Sequence, residues 1–262
     1  MMEILGYIAA FFMGLTLGSI GGGGSILTVP ILVYLMGVTP VTATGYSLLI
    51  VGSAAAFGAY RYYRQGLIDV RAAVTFAIPS IVAVYLTRAF LMPAIPDPVF
   101  QAPVVVGKDF AIMVLFAVLM VLSAAMMLRN SRKLTPAASG THHIGLVIVE
   151  GAVVGVATGI LGAGGGFLII PALVLLMGMP MKKAVGASLL IIALKSLIGF
   201  IGDIQAGIEF QIPLLAFFFM ATFAGMFAAT LFAHRLDGKK LQQVFAYFTL
   251  VVAGIIFFKE LL

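Results

Sequence analysis

Lys195 lies thirteen residues into an apolar stretch running over about 182–203. A lysine at that depth in a membrane segment is expensive unless it is paired or hydrated, which makes it a functional candidate. Its natural chemistry there is that of a fixed cation facing an anionic ligand. A competing reading pairs it with Glu150, within another apolar stretch at about 142–161. That pair would be structural, or Glu150 would take up and release a proton.

A second group of candidates is glycine-rich. GGGGSILTVP holds Gly21, Gly22, Gly23, Gly24, Ser25 and Thr28, and GAGGGFLIIP holds Gly162, Gly164, Gly165 and Gly166. Each glycine inside a helix costs about 1 kcal/mol relative to alanine. Helices are therefore expected to restart after the runs, at Ser25 and near Gly166. A helix N-terminus offers free N–H groups and partial positive charge, and glycine lets a ligand approach the backbone closely. Together they select an anion. Tight helix packing through small residues is the competing reading. Tyr46, Ser47 and Ser188 open the segments that follow and could donate to anion oxygens or simply bond between helices. Thr42 and Thr44 stand beside them.

Other chemistries have no carrier. The chain has no cysteine, which removes thiolate nucleophiles and Cys-based metal or Fe–S sites. His142 and His143 have no acidic residue at ligand spacing and read as interfacial, so no metal or other cofactor is expected. Arg88 and Asp203 also read as interfacial. The glycine runs lack the following Lys-Ser or Lys-Thr of a phosphate loop, and no catalytic triad or paired carboxylate set is visible, so no enzyme is expected.

The elements that position these residues are membrane helices. The 262 residues are 63% hydrophobic and 9% charged, with mean hydropathy +1.20. That composition indicates a polytopic helical membrane protein. Stretches such as Phe110–Leu128 are apolar on every face, unlike the alternating strands of a barrel. Ten apolar segments run over about 3–20, 24–37, 41–62, 70–92, 109–129, 142–161, 166–178, 182–203, 210–233 and 241–259. The first reads as a retained helix rather than a signal peptide. The second and seventh are too short for a hydrocarbon core of about 30 Å and read as half-helices or re-entrant arms, tolerable at depth only inside protein or beside a water-filled cavity.

The two halves are copies. A shift of 141 aligns residues 18–67 with 159–208 without a gap, matching Gly21/Gly162, Gly24/Gly165, Pro30/Pro171, Gly45/Gly186, Ser47/Ser188 and Gly66/Gly207 among others. Arg61, Arg64, Arg71, Arg129, Arg132, Lys133, Lys182, Lys183, Arg235, Lys239 and Lys240, eleven of the fifteen basic residues, fall in loops assigned to the cytoplasm. This grouping, rather than nucleic-acid binding, accounts for the net charge of +6. Both termini then fall outside, and an odd count of five elements per half inverts the second copy. The expected fold is an all-α polytopic membrane protein of two inverted five-element repeats, 1–130 and 142–262, joined by a cytoplasmic linker at 131–141. Inverted repeats with broken helices are a transporter architecture, with the substrate bound at the breaks.

The paired signatures, GGGGSILTVPIL followed by GYSLL, and GAGGGFLIIPALVLLMGMPMKKAVGASLL, resemble the sulfite exporter TauE/SafE family over essentially the whole chain. The resemblance implies an inner-membrane permease for sulfur-containing anions such as sulfite or organosulfonates. It also implies that Gly21–Ser25 and Gly162–Gly166 are substrate-facing loops. Lys195 has no counterpart in the first repeat, where Ala54 stands. The resulting expectation is an alternating-access transporter of a small anion. Its partners are that anion and the bilayer, with proton coupling through Glu150 and a homodimeric state left open. An anion channel is the alternative, disfavoured by the lack of a continuous polar stripe.

Overall fold

The computed structural model describes residues 2–99, 106–131, 144–175, 177–208, 210–232 and 238–261. The linker at 132–141, His142, His143, Arg235 and Glu209 lie outside the described residues, and so do the expectations placed on them.

The described residues form ten helical elements in order. Helix α1 (Met2–Ile20) is followed by a 3-10 stretch, Gly22–Leu27, that runs directly into the short α2 (Thr28–Tyr34). Helix α3 spans Pro40–Arg64 and α4 spans Val70–Ala94, the latter with Pro79 inside it and a π-helical turn at Thr87–Leu91. Helix α5 is Lys108–Ser131, α6 is Ile144–Leu161, α7 is Gly166–Leu175, α8 is Met181–Gln205, α9 is Ile212–Phe232 and α10 is Gly238–Leu261.

Five of these are long and apolar enough to cross a membrane: Pro40–Arg64, Val70–Ala94, Lys108–Met126, Lys182–Gln205 and Ile212–Ala229. The α2 and α7 elements are not. At about 1.5 Å per residue, the ten residues of α7 advance only about 15 Å.

Local sequence explains the ends. Pro40 occupies the first turn of α3, where a missing N–H costs nothing. Asp69 caps α4, its carboxylate accepting from Ala72 N at 3.0 Å. Gly66 and Gly207, 141 residues apart, both take positive φ just past α3 and α8. Around them the same closing bond recurs, Leu67 N to Tyr62 O at 3.1 Å and Ile208 N to Asp203 O at 3.3 Å, as in a Schellman cap.

Packing follows the same pairing. Helices α3 and α8 pack on each other, α1 packs on α9, α4 on α6, and α5 on α10. The inner pair is α3 and α8, two thirds buried along their apolar windows against one third for α4 and α9. The flanking pairs meet through glycines. A Cβ on Gly225 would stand 1.9 Å from Phe11 O, and one on Gly14 would stand 2.0 Å from Thr222 O. Between α6 and α4, a Cβ on Gly151 would meet Phe76 O at 2.8 Å and one on Gly155 would meet Ser80 O at 2.6 Å. These contacts let backbones touch where lipid supplies no hydrophobic drive for association. The perimeter is apolar: Ile78, Val82, Phe90, Val149, Val153 and Phe217 are all more than half exposed. Such a surface suits acyl chains rather than water.

Candidate functional site

The two glycine runs meet in space. Gly22, at the start of the 3-10 stretch, lies against Gly166, the first residue of α7. A Cβ on Gly166 would stand 2.0 Å from Gly22 Cα, and one on Gly22 would stand 2.3 Å from Gly166 Cα. The crossing therefore exists only because both positions are glycine.

The remaining run residues are seated by α3, α8 and the helices that precede them. Gly21, with φ +76°, sits beside Val185 and Ser188, and Gly162, with φ +65°, sits on the backbone of Thr44. Gly24 faces the backbone of Leu17, and Gly23 lies within the 3-10 turns. Gly164 packs against Val51 and Ser25. Ser25 turns inward, its Oγ donating to Gly22 O at 2.6 Å. The expected helix start at Ser25 is thus displaced. The backbone enters 3-10 geometry at Gly22 and α geometry only at Thr28, because glycines accommodate the tighter turn that brings the runs together. The start of α7 at Gly166 is as expected.

Lys195 is fully buried, and its Nζ donates to Thr158 Oγ1 at 2.7 Å. The ammonium also abuts the second glycine run, since a Cβ on Gly165 would stand 2.6 Å from Nζ. The alternative pairing with Glu150 does not occur. Thr158 is the partner, on the same helix as Glu150 but eight residues on, about 12 Å along the axis. Glu150 is half-buried on α6 and makes no ion pair among the described residues. An ammonium has three donors, so Lys195 keeps capacity beyond Thr158.

The hydroxyls divide. Among the described residues, Thr28 and Ser47 are fully buried with no hydrogen-bond partner, as is Ser196, the neighbour of Lys195. Ser188 bonds back to Val185 O at 2.8 Å while standing beside Gly21. Tyr46 is committed elsewhere. Its hydroxyl accepts from Gln211 N at 2.7 Å and its ring stacks on Phe210, so it fastens the entry to α9 rather than reaching the crossing.

Two groupings escape a reading of the sequence. Arg88 and Asp203, expected at an interface, are buried together at 1% exposure each, with Arg88 Nη1 to Asp203 Oδ1 at 3.2 Å. Sequence distance hides the pair, because α4 and α8 come together only in the packed fold. Thr158 carries a readable signal. Under the 141-residue shift it replaces Leu17, just as Lys195 replaces Ala54. Two polar residues standing where the first half has apolar ones mark positions that the second half uses differently.

A separate groove of about 760 Å³ between α4 and α6 is lined by apolar side chains including Val82, Leu86, Phe90 and Val156, with Thr87 as its polar member. It offers nothing to an anion.

An apolar perimeter around helices of membrane-spanning length, two short buried elements broken at glycine and a buried lysine beside the second of them define a multi-pass membrane protein of transporter type. Residues 6–256 match the profile of the family described as sulfite exporter TauE/SafE, and the chain belongs to that family. A probable membrane transporter protein of Xylella fastidiosa (strain 9a5c) is 31% identical over 92% of this chain and 89% of its own. A probable membrane transporter protein of Haemophilus influenzae is 27% identical over 98% and 97%. The probable membrane transporter protein YunE of Bacillus subtilis is 28% identical over 79% and 78%. No solved structure matches the chain. The protein is a membrane transporter.

Proposed function

We propose that the protein carries a small sulfur-containing anion, sulfite or an organosulfonate, across the inner membrane by alternating access. The anion binds beside the crossing of the two glycine runs. The observation that carries this reading is Lys195. It is a fully buried amine, charged once an anion lies beside it, whose partner among the described residues is a hydroxyl rather than a carboxylate, set against Gly165 at the head of α7. A buried ammonium needs compensating charge, and an anion at this place supplies it. Unpartnered hydroxyls on Thr28, Ser47 and Ser196 add donors in the same inner layer.

Support for inverted repeats, 1–130 and 142–262, comes from the exchange pattern of the packing. Helix α1 takes α9, the fourth element of the other half, and α4 takes α6, the first element of the other half. Matched positive φ at Gly21/Gly162, Gly37/Gly178 and Gly66/Gly207 extends the correspondence to the backbone. In this reading both termini lie outside, opposite the basic loops assigned to the cytoplasm. With the interior negative, moving one negative charge outward is favourable by about 2.3 kcal/mol per 100 mV. Export therefore runs without a second ion, whereas import needs coupling.

A thermal-shift panel on purified protein tests the site: sulfite, thiosulfate, sulfate, sulfoacetate, phosphate and chloride. The expected result is stabilisation by a sulfur oxyanion well beyond that given by chloride. No anion-specific shift would remove the anion site altogether. If Glu150 carries a coupled proton, Glu150→Gln flattens the pH dependence of flux in proteoliposomes and leaves sulfite affinity unchanged. A retained pH dependence takes Glu150 out of the scheme.

A further inference from the structure

We infer that the protein holds a second anion site, built on Arg88 at the end of the bundle where α3 and α5 begin and α4 and α8 finish. This goes beyond the Lys195 site and does not require it. A cavity of about 120 Å³ opens there, lined by Val41, Arg88, Met92, Pro93, Lys108, Asp203, Ala206 and Ile208. That volume equals about four waters, enough for an anion of three or four oxygens.

The π-helical turn of α4 sets Arg88 into this cavity, and such turns recur at functional positions because they re-aim one side chain without ending the helix. One edge of the guanidinium is spent: Nη1 donates to Thr44 Oγ1 at 3.0 Å and to Asp203 Oδ1 at 3.2 Å. The other edge is not. Nε and Nη2 are both buried without a partner among the described residues, although the side chain is 1% exposed. A buried guanidinium edge with two idle donors matches the two oxygens of an oxyanion, the bidentate geometry that arginine favours. Lys108 lines the same space, its ammonium fastened to the carbonyls of Met92 and Ile95. Asp203 lines the cavity too, its Oδ2 buried without a partner among the described residues, and Asp97 and Asp109 stand close to Lys108, so the attraction for an oxyanion rests on the idle guanidinium edge rather than on net charge. Asp97 accepts from Lys108 N at 3.1 Å and Asp109 from Val41 N at 3.3 Å.

The site also connects to the glycine crossing. Thr44, which accepts from Arg88, is the residue on whose backbone Gly162 rests, and Gly45 stands beside Asp203 Oδ2. Asp203, the counter-ion of Arg88 on Nη1, opposes an anion on the free edge by its charge.

The test uses purified full-length protein in which Lys195→Met silences the inner site, with hydrogensulfite as the probe and chloride as the control. In that background Asp203→Asn removes the competing carboxylate and is expected to tighten hydrogensulfite at least about fivefold, since one adjacent like charge changes an ionic equilibrium by a factor of this order. Adding Arg88→Gln, which leaves a neutral Gln–Asn pair, abolishes the gain. Lys108→Gln, on a half-exposed side chain at the cavity edge, weakens the tightened binding, and thermal unfolding of the same variant reads out the loss of its bonds to Met92 O and Ile95 O. The inference is overturned if Asp203→Asn leaves affinity unchanged or if the gain survives loss of Arg88. Failure of the inner site reads out separately, as unchanged affinity on Lys195→Met alone.

Discussion

Lys195→Met should give a protein that is at least as stable and binds its anion far more weakly. The ammonium is fully buried and its partner is a threonine hydroxyl, so the charge is desolvated without a carboxylate in return. Replacing buried ionic groups by apolar side chains of similar volume is often neutral or stabilising, by up to about 4 kcal/mol for whole ion pairs. Thr158 is not orphaned by the change, because its hydroxyl also donates to Gly155 O at 3.2 Å. Binding moves the other way. Removing one partner of a desolvated ionic contact costs about 2–5 kcal/mol, so sulfite affinity should fall at least about 30-fold. Thermal unfolding of the apo protein and an anion titration of the same preparation check both halves. A variant that is destabilised yet binds normally would make Lys195 a structural residue.

Gly166→Val should abolish transport and lower the thermal midpoint while leaving membrane insertion intact. The new Cβ would fall 2.0 Å from Gly22 Cα and 2.2 Å from Gly22 C. Those are backbone atoms and cannot swing aside as a flexible side chain would. The runs must separate, and overpacking of this kind costs about 1–3 kcal/mol or more. Gly22→Val should do similar harm, since it strikes the same contact from the other side. The double variant should then lose less than the two single losses added together. Gly254→Val is the control: nothing lies within 4 Å of its Cβ position. Transport assays with thermal unfolding decide the matter, and wild-type behaviour of Gly166→Val would show that the crossing does not matter.

The sequence reads most clearly where one chemical rule dominates. Glycine runs cannot sit comfortably in a helix, and a repeated run at a fixed spacing has to be explained twice by the same structure. The short second and seventh elements and the meeting of the runs are legible for that reason. The helix start is not, because 3-10 and α turns differ by less free energy than local sequence reveals. The partner of Lys195 is hidden for a different cause. Charge alone favours Glu150, whereas the fold sets Thr158 beside Nζ and leaves Glu150 two turns away. Arg88 and Asp203 lie beyond reach. Each stands near a helix end, where an interfacial charge is the ordinary expectation, and only the packing of α4 on α8 buries them together.

That buried pair has a consequence for directionality. The helix pairings of the two halves correspond, but the shift of 141 sets Tyr62 against Asp203 and, carried past residue 67, Ala229 against Arg88. In the inverted arrangement we propose, the opposite end of the molecule repeats the scaffold without this ion pair. A carrier with two like-shaped gates would rest equally on either side. Here one end has a buried ion pair and the equivalent positions of the other carry no charge, so in that arrangement the two resting states differ in energy. The ion pair would bias the side that the empty carrier faces without setting the direction of net flux.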